Sequence, residues 1–249
     1  MKKELRRQIK QDEFATTLGH TIRWVESHAQ EVKVTAAIVA VVGVGWLGLN
    51  YFRQSRAQTA EKAFAAALET FQAPVAGELA EGEAPPGRTV HTTAGEKFRK
   101  AAAEFAGLAQ RYPTMPIGRR ASYYEALCRL ELGELAEAEK AFSALAARRD
   151  DQALQADLAR LGLADVERKR GRVDQAVSLY RQMVDDATLA VPRDHVLMTL
   201  SSVLEEAGRL PEAGAAYRRL AQDFPTSVYA PEAQRRADYL QSDSPGQRS

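Results

Sequence analysis

Cysteine is nearly absent from this chain: Cys128 stands alone among 249 residues. No internal disulfide can form, and a reducing or an oxidising compartment suits the chain equally. Cys128 lies deep in the chain with no lipobox before it, so it is not a lipid attachment site. With Tyr124 and Leu127 for neighbours and no group to stabilise a thiolate, it is expected to be a small buried apolar residue. Histidine is scarce too. His20, His28, His91 and His195 are scattered, no two at a metal-ligand spacing with a carboxylate or cysteine, and a surface or capping role is expected for each. The acidic pairs Asp150-Asp151 and Asp185-Asp186 are expected at helix ends or turns, as caps or solvated faces. No catalytic constellation emerges, so neither an enzyme nor a metal or cofactor site is expected, and no small-molecule substrate. Charge of one sign is missing as well: 34 basic residues face 33 acidic ones, without the basic stripe a nucleic-acid binder carries. Alternating strand patterns are lacking, and alanine, leucine, glutamate and arginine dominate, which predicts an all-α protein.

What the chain does have is one long apolar run. Residues 34–52, VTAAIVAVVGVGWLGLNYF, carry no charge and are closed by Lys33 and Arg53. As a helix this run rises about 28 Å, close to the hydrocarbon thickness of a bilayer. A cleaved signal peptide has its apolar core within the first 15 to 30 residues or so. This run begins only at Val34, so it is expected to be a retained transmembrane helix. Gly43, Gly45 and Gly48 lie inside it, which excludes a phosphate loop. Ala36, Ala40 and Gly43 share one face, and small residues let membrane helices approach closely, making them candidates for a helix contact within the membrane.

The leader, 1–33, contains an apolar stripe of Phe14, Leu18, Ile22, Val25, Ala29 and Val32 beside Trp24. It is read as an amphipathic helix, either lying in the membrane interface or docking on a partner. The leader's basic residues outnumber its acidic ones, which favours a cytoplasmic N-terminus, although Arg53, Arg56 and Lys62 just beyond the span pull the other way. Residues 73–95 are rich in Ala, Gly, Pro and Glu and are expected to form a mobile loop. The tail Ser242 to Ser249 is polar and expected to fray. The expected organisation is a leader (1–33), a transmembrane helix (34–52), a helix with a loop (53–95) and a repeat domain (96–249).

Within the last region three segments align. A glycine is followed five residues on by alanine and nine on by an aromatic: Gly133, Ala138 and Phe142; Gly171, Ala176 and Tyr180; Gly208, Ala213 and Tyr217. A half-unit precedes them, with Ala101, Phe105 and Leu108. Arg111-Tyr112-Pro113-Thr114 and Asp223-Phe224-Pro225-Thr226 close two units with the same phrase. Glycine ends a first helix by taking the left-handed conformation. Alanine then allows the second helix to approach, and the aromatic one turn later fills the space between them. The pattern predicts helix–turn–helix units stacked in a solenoid.

This glycine, alanine, aromatic and proline order resembles the tetratricopeptide repeat family over residues 96 to 241. The third unit matches best, with Leu197, Leu200, Ser201 and Leu204 at the packing positions of its first helix. The first two units depart at Arg129 and Glu167, where the family has a large apolar or aromatic residue. The resemblance implies a right-handed α-solenoid whose concave face binds proteins or peptides. On that face it would place Arg120, Tyr123 and Leu127; Leu161, Asp165 and Arg168; and Met198, Ser202 and Glu205. The Lys and Asn pattern with which some members clamp a C-terminal carboxylate is absent.

The wider layout, from Asp12 through SRAQTAEKAFAAALETF to Phe71 and the stacked repeats, resembles the ancillary SecYEG translocon subunit (YfgM-like) family of bacterial inner-membrane proteins. That resemblance implies a periplasmic domain assisting handover of exported proteins, with translocon subunits and a periplasmic chaperone as partners. A structural or assembly role in the cell envelope or division machinery is the alternative.

Overall fold

The computed structural model describes residues 29–78, 89–148 and 153–242. The leader stripe from Phe14 to Val25, Trp24, His20, His28, Asp150, Asp151 and the tail after Ser242 lie outside the described residues. Among the described residues there are nine α-helices: α1 (Ala29–Gln72), α2 (Ala94–Arg111), α3 (Pro116–Glu131), α4 (Leu135–Ala146), α5 (Ala153–Lys169), α6 (Val173–Asp185), α7 (Arg193–Glu206), α8 (Leu210–Asp223) and α9 (Ala230–Ser242). The chain forms two compact units, one ending at Thr59 and one from Ala60 onward.

In the first unit the apolar run is one part of the uninterrupted α1. It is long and apolar enough to cross a membrane, and none of its most apolar window is buried. Val41, Val44, Leu47 and Phe52 stand exposed. The Thr35 hydroxyl donates to the Glu31 carbonyl one turn back at 2.8 Å, so this polar group is satisfied within the helix. Ala40 and Gly43 also lie on α1, and the space beside Gly43 is open. Ala36 is on the same helix.

The second unit is a stack of helix pairs. The half-unit recognised from Ala101, Phe105 and Leu108 has a first helix after all: Ala60, Phe64 and Ala67 of α1 pack against α2 in one core. The Phe64 and Phe105 rings meet at 5.5 Å, Phe71 and Phe98 at 5.6 Å, and Phe105 stacks on Tyr124 at 5.1 Å. The stack therefore begins near Ala60 rather than residue 96. The edges of the expected 73–95 loop are pinned. The Ala76 N–H donates to the His91 carbonyl at 2.9 Å and the His91 N–H to the Pro74 carbonyl at 3.1 Å, closing an isolated parallel bridge between Val75 and His91. His91 is buried, not at the surface as the sequence suggested; its backbone pairing draws the side chain inward. Thr93 caps α2, its hydroxyl accepting from the Glu96 N–H at 3.1 Å.

The three repeat glycines are the only described residues with positive φ, at +77° (Gly133), +76° (Gly171) and +73° (Gly208). Each closes its first helix with the same two bonds. Gly133 N–H donates to Leu130 O and Glu134 N–H to Arg129 O; Gly171 and Arg172 bond Arg168 O and Glu167 O; Gly208 and Arg209 bond Glu205 O and Leu204 O. This is the paired 5→2 and 6→1 arrangement of a Schellman stop. Ala138, Ala176 and Ala213, like Phe142, Tyr180 and Tyr217, are buried between the helices. The two closing phrases also match: Tyr112 and Phe224 donate back to Leu108 O and Leu220 O, both at 2.9 Å, before the prolines turn the chain.

Arg129 and Glu167 keep their helices in the common orientation by pairing outward. Arg129 reaches Glu125 at 2.8 Å and Glu134 at 3.4 Å, and Glu167 reaches Arg170 at 2.9 Å and Arg172 at 3.3 Å.

Candidate functional site

The first helices of successive pairs, α3, α5 and α7, each place side chains on one face, and a register links that face to the core. Leu127, Asp165 and Ser202 each stand fifteen residues before the buried aromatic of their unit. Where the aromatic is tyrosine, its hydroxyl reaches out to this face. Tyr180 donates to Asp165 Oδ1 at 3.0 Å. Tyr217 donates to Glu205 Oε2 at 2.9 Å and lies 3.5 Å from the Ser202 hydroxyl. Where it is Phe142, with no hydroxyl to satisfy, the matching position is the apolar Leu127. Burial first, and then Asp165, hold the Tyr180 phenol well above its ordinary range, so it remains a donor.

The remaining candidates fall along the same line. The Arg120 guanidinium lies 4.3 Å from the Phe64 ring centroid and 3.5 Å from Glu61. Tyr123 is half-buried, edge-on to Tyr124 at 5.7 Å and tilted against Phe142 at 5.9 Å. Its phenol is pushed up to about 12 by burial, then by Tyr124 and Asp165. Arg168 binds Asp165 at 3.3 Å within its helix and approaches Glu206 of the next pair at 3.6 Å. Leu161 departs from the expectation. It is buried in the core shared by α5 to α9, because one residue of shift along a helix turns a side chain by about 100°.

At the C-terminal end the face opens into a recess of about 390 Å³ lined by Met198, Ser202, Glu205, Glu206, Tyr217, Glu232 and Arg236. Sequence reasoning missed Glu206, Glu232 and Arg236. The last two lie on α9, beyond the third glycine–alanine–aromatic set, so the repeat alignment could not reach them. The face thus grades from aromatic and apolar side chains around Tyr123 and Leu127 to ionic ones around Glu205.

Elsewhere, Cys128 is fully buried, and burial, then Glu125 and Glu131, push its thiol up to about 12. His195 is exposed, its Nδ1 3.3 Å from the Tyr229 hydroxyl. Among the described residues no group of three or more His, Cys, Asp or Glu is placed to hold a metal ion.

No curated protein matches the chain at a significant level. The model of the tetratricopeptide repeat-like domain family matches residues 23–241, nearly the whole chain and all of its described helices. Three Schellman-closed helix pairs with the same alanine and aromatic filling, inside a match of that extent, give the conclusion that the chain belongs to the tetratricopeptide repeat-like domain family.

Proposed function

We propose that this protein is a single-pass membrane-anchored scaffold that holds segments of partner proteins on the first-helix face of its solenoid. A tetratricopeptide repeat-like domain is a protein-interaction scaffold in kind. The observation that carries the rest is the joining of two features in one chain. A side-chain face continues from Arg120 to Glu205, and a helix long enough to cross a membrane precedes it. The family match begins at residue 23, so the apolar run lies inside it, which supports the run as part of the family's layout. Exposed Val, Leu and Trp along that run are costly in water at about 25 cal/mol per Å² and at home in lipid.

The finer reading is a bacterial inner-membrane protein with a cytoplasmic N-terminus and a periplasmic solenoid. Its task would be assisting handover or quality control of exported proteins beside the Sec translocon, with a periplasmic chaperone. Its support is the layout from Asp12 through Phe71 and the basic excess of the leader.

A photoreactive residue at Tyr123 or Met198, in native membranes containing the translocon, is expected to capture polypeptides. Clean lanes at both positions would sink the scaffold reading. For the topology, protease added to intact spheroplasts is expected to cut within residues 73–95 while sparing 1–33. Protection of both segments until the membrane is broken would place the solenoid in the cytoplasm and end the handover reading.

A further inference from the structure

We infer that the recess between α7 and α9 receives a basic side chain, lysine or arginine, from the polypeptide held on the first-helix face. This rests on the scaffold reading above and adds the chemistry of the partner. The recess wall carries three carboxylates, Glu205, Glu206 and Glu232, against the single guanidinium of Arg236. That guanidinium demonstrates what the wall accepts: it lies 3.2 Å from Glu205 and 3.3 Å from Glu232. One internal cation thus bridges two of the acids and leaves the wall with negative charge in excess. Glu206 is the acid best placed for a newcomer. Its nearest cation, Arg168, stays at 3.6 Å, longer than a charge-assisted hydrogen bond, and its side chain is 66% exposed.

The rest of the wall suits the stem of a long basic side chain. The Met198 thioether and the Tyr217 ring offer polarizable and apolar surface to methylenes, while the carboxylates meet the charged head. A recess of about 390 Å³ has room for both. An acidic segment would meet like charge here and be turned away, so the recess selects as well as binds. Its position at the end of the face fixes the order of the partner: apolar residues toward Tyr123 and Leu127, a basic one toward Glu206.

The test uses the full chain in phosphatidylcholine nanodiscs, with empty nanodiscs as blank. The probes are two labelled serine–leucine peptides, one with two central lysines and its twin with two glutamates. Fluorescence anisotropy is expected to give the lysine peptide about tenfold tighter binding or more at low salt, the preference shrinking as salt rises. Glu206→Gln with Glu232→Gln should bring the twins within about twofold of each other. Arg236→Gln should tighten the lysine peptide, because it removes the competing internal cation; a purely structural role for Arg236 predicts the opposite sign. Circular dichroism of each variant checks that the helices persist. Equal binding of the twins, binding of neither, or a preference unchanged in the double variant each overturns the inference. If the twins bind equally while Met198 still captures polypeptide in native membranes, the scaffold reading survives without the basic-residue recess. If capture also fails, both fall.

Discussion

Phe142→Ala is expected to lower the unfolding free energy by about 3–5 kcal/mol, the range for emptying a large aromatic from a packed core. Phe142 is fully buried between its own helix pair and α5. Gly162 of α5 lies directly against it: a Cβ built there would sit 2.6 Å from the ring atoms Cε1 and Cζ. No side chain can approach a ring so closely, so the glycine is what lets α5 lie flat on the preceding pair. Gly162→Ala is therefore expected to cost about 1–3 kcal/mol through overpacking. Because the two residues share one contact, their effects should not add. In the Phe142→Leu background, whose side chain leaves room for a methyl, Gly162→Ala should cost clearly less than in the wild type. Denaturant unfolding of the full chain in detergent, followed by far-UV circular dichroism, reads all of these. A cost for Gly162→Ala that is the same in both backgrounds would show that the close approach does not limit packing.

The contrast between Gly162 and the repeat glycines marks what the sequence could reveal. Gly133, Gly171 and Gly208 were legible because their role is local. Each needs a left-handed backbone at a fixed offset from the alanine and aromatic of its own hairpin, and that offset recurs along the chain. Gly162 answers to a ring in another unit, and Gly118 to the Tyr112 carbonyl, 1.9 Å from where its Cβ would be; no short-range period announces either. The α1–α2 pair was half legible for a related reason. Ala60, Phe64, Ala67 and Phe71 recur at helical spacing, but α1 runs unbroken out of the apolar span, so no turn or cap announces a new element. Of the candidate face, the polar positions were found through the repeat register. Leu161 was misplaced by that same register, and the α9 contribution lay outside it.

The least legible feature predicts the other large effect. Asp157 sits in α5 among alanines and leucines, with nothing nearby to mark it, yet its side chain is fully buried. Its Oδ1 accepts from Arg160 at 3.0 Å and its Oδ2 from the Ala190 N–H at 2.8 Å. Arg160 continues to Asp186 at 2.8 Å, and Asp186 accepts from the Thr188 N–H and hydroxyl at 2.9 and 2.7 Å. Arg193 closes the set by donating to the Asp186 carbonyl at 2.8 Å. These bonds tie α5 to the turn between α6 and α7 and hold the second helix pair to the third, beneath the face that runs on to the recess. Asp157→Ala removes one member and leaves a buried N–H without that acceptor and Arg160 with less compensation. Breaking a buried ionic set from one side costs about 3–5 kcal/mol. Asp157→Asn retains an acceptor for Ala190 and should lose less. Arg181→Ala is the control, since its bridge to Glu212 lies between two exposed side chains and is worth no more than about 1 kcal/mol. Raising the salt to about 1 M, where the screening length falls to about 3 Å, should erase the Arg181 effect and leave most of the Asp157 effect. Should Asp157→Ala cost no more than Arg181→Ala in the same unfolding experiment, the buried tie does not hold the stack together.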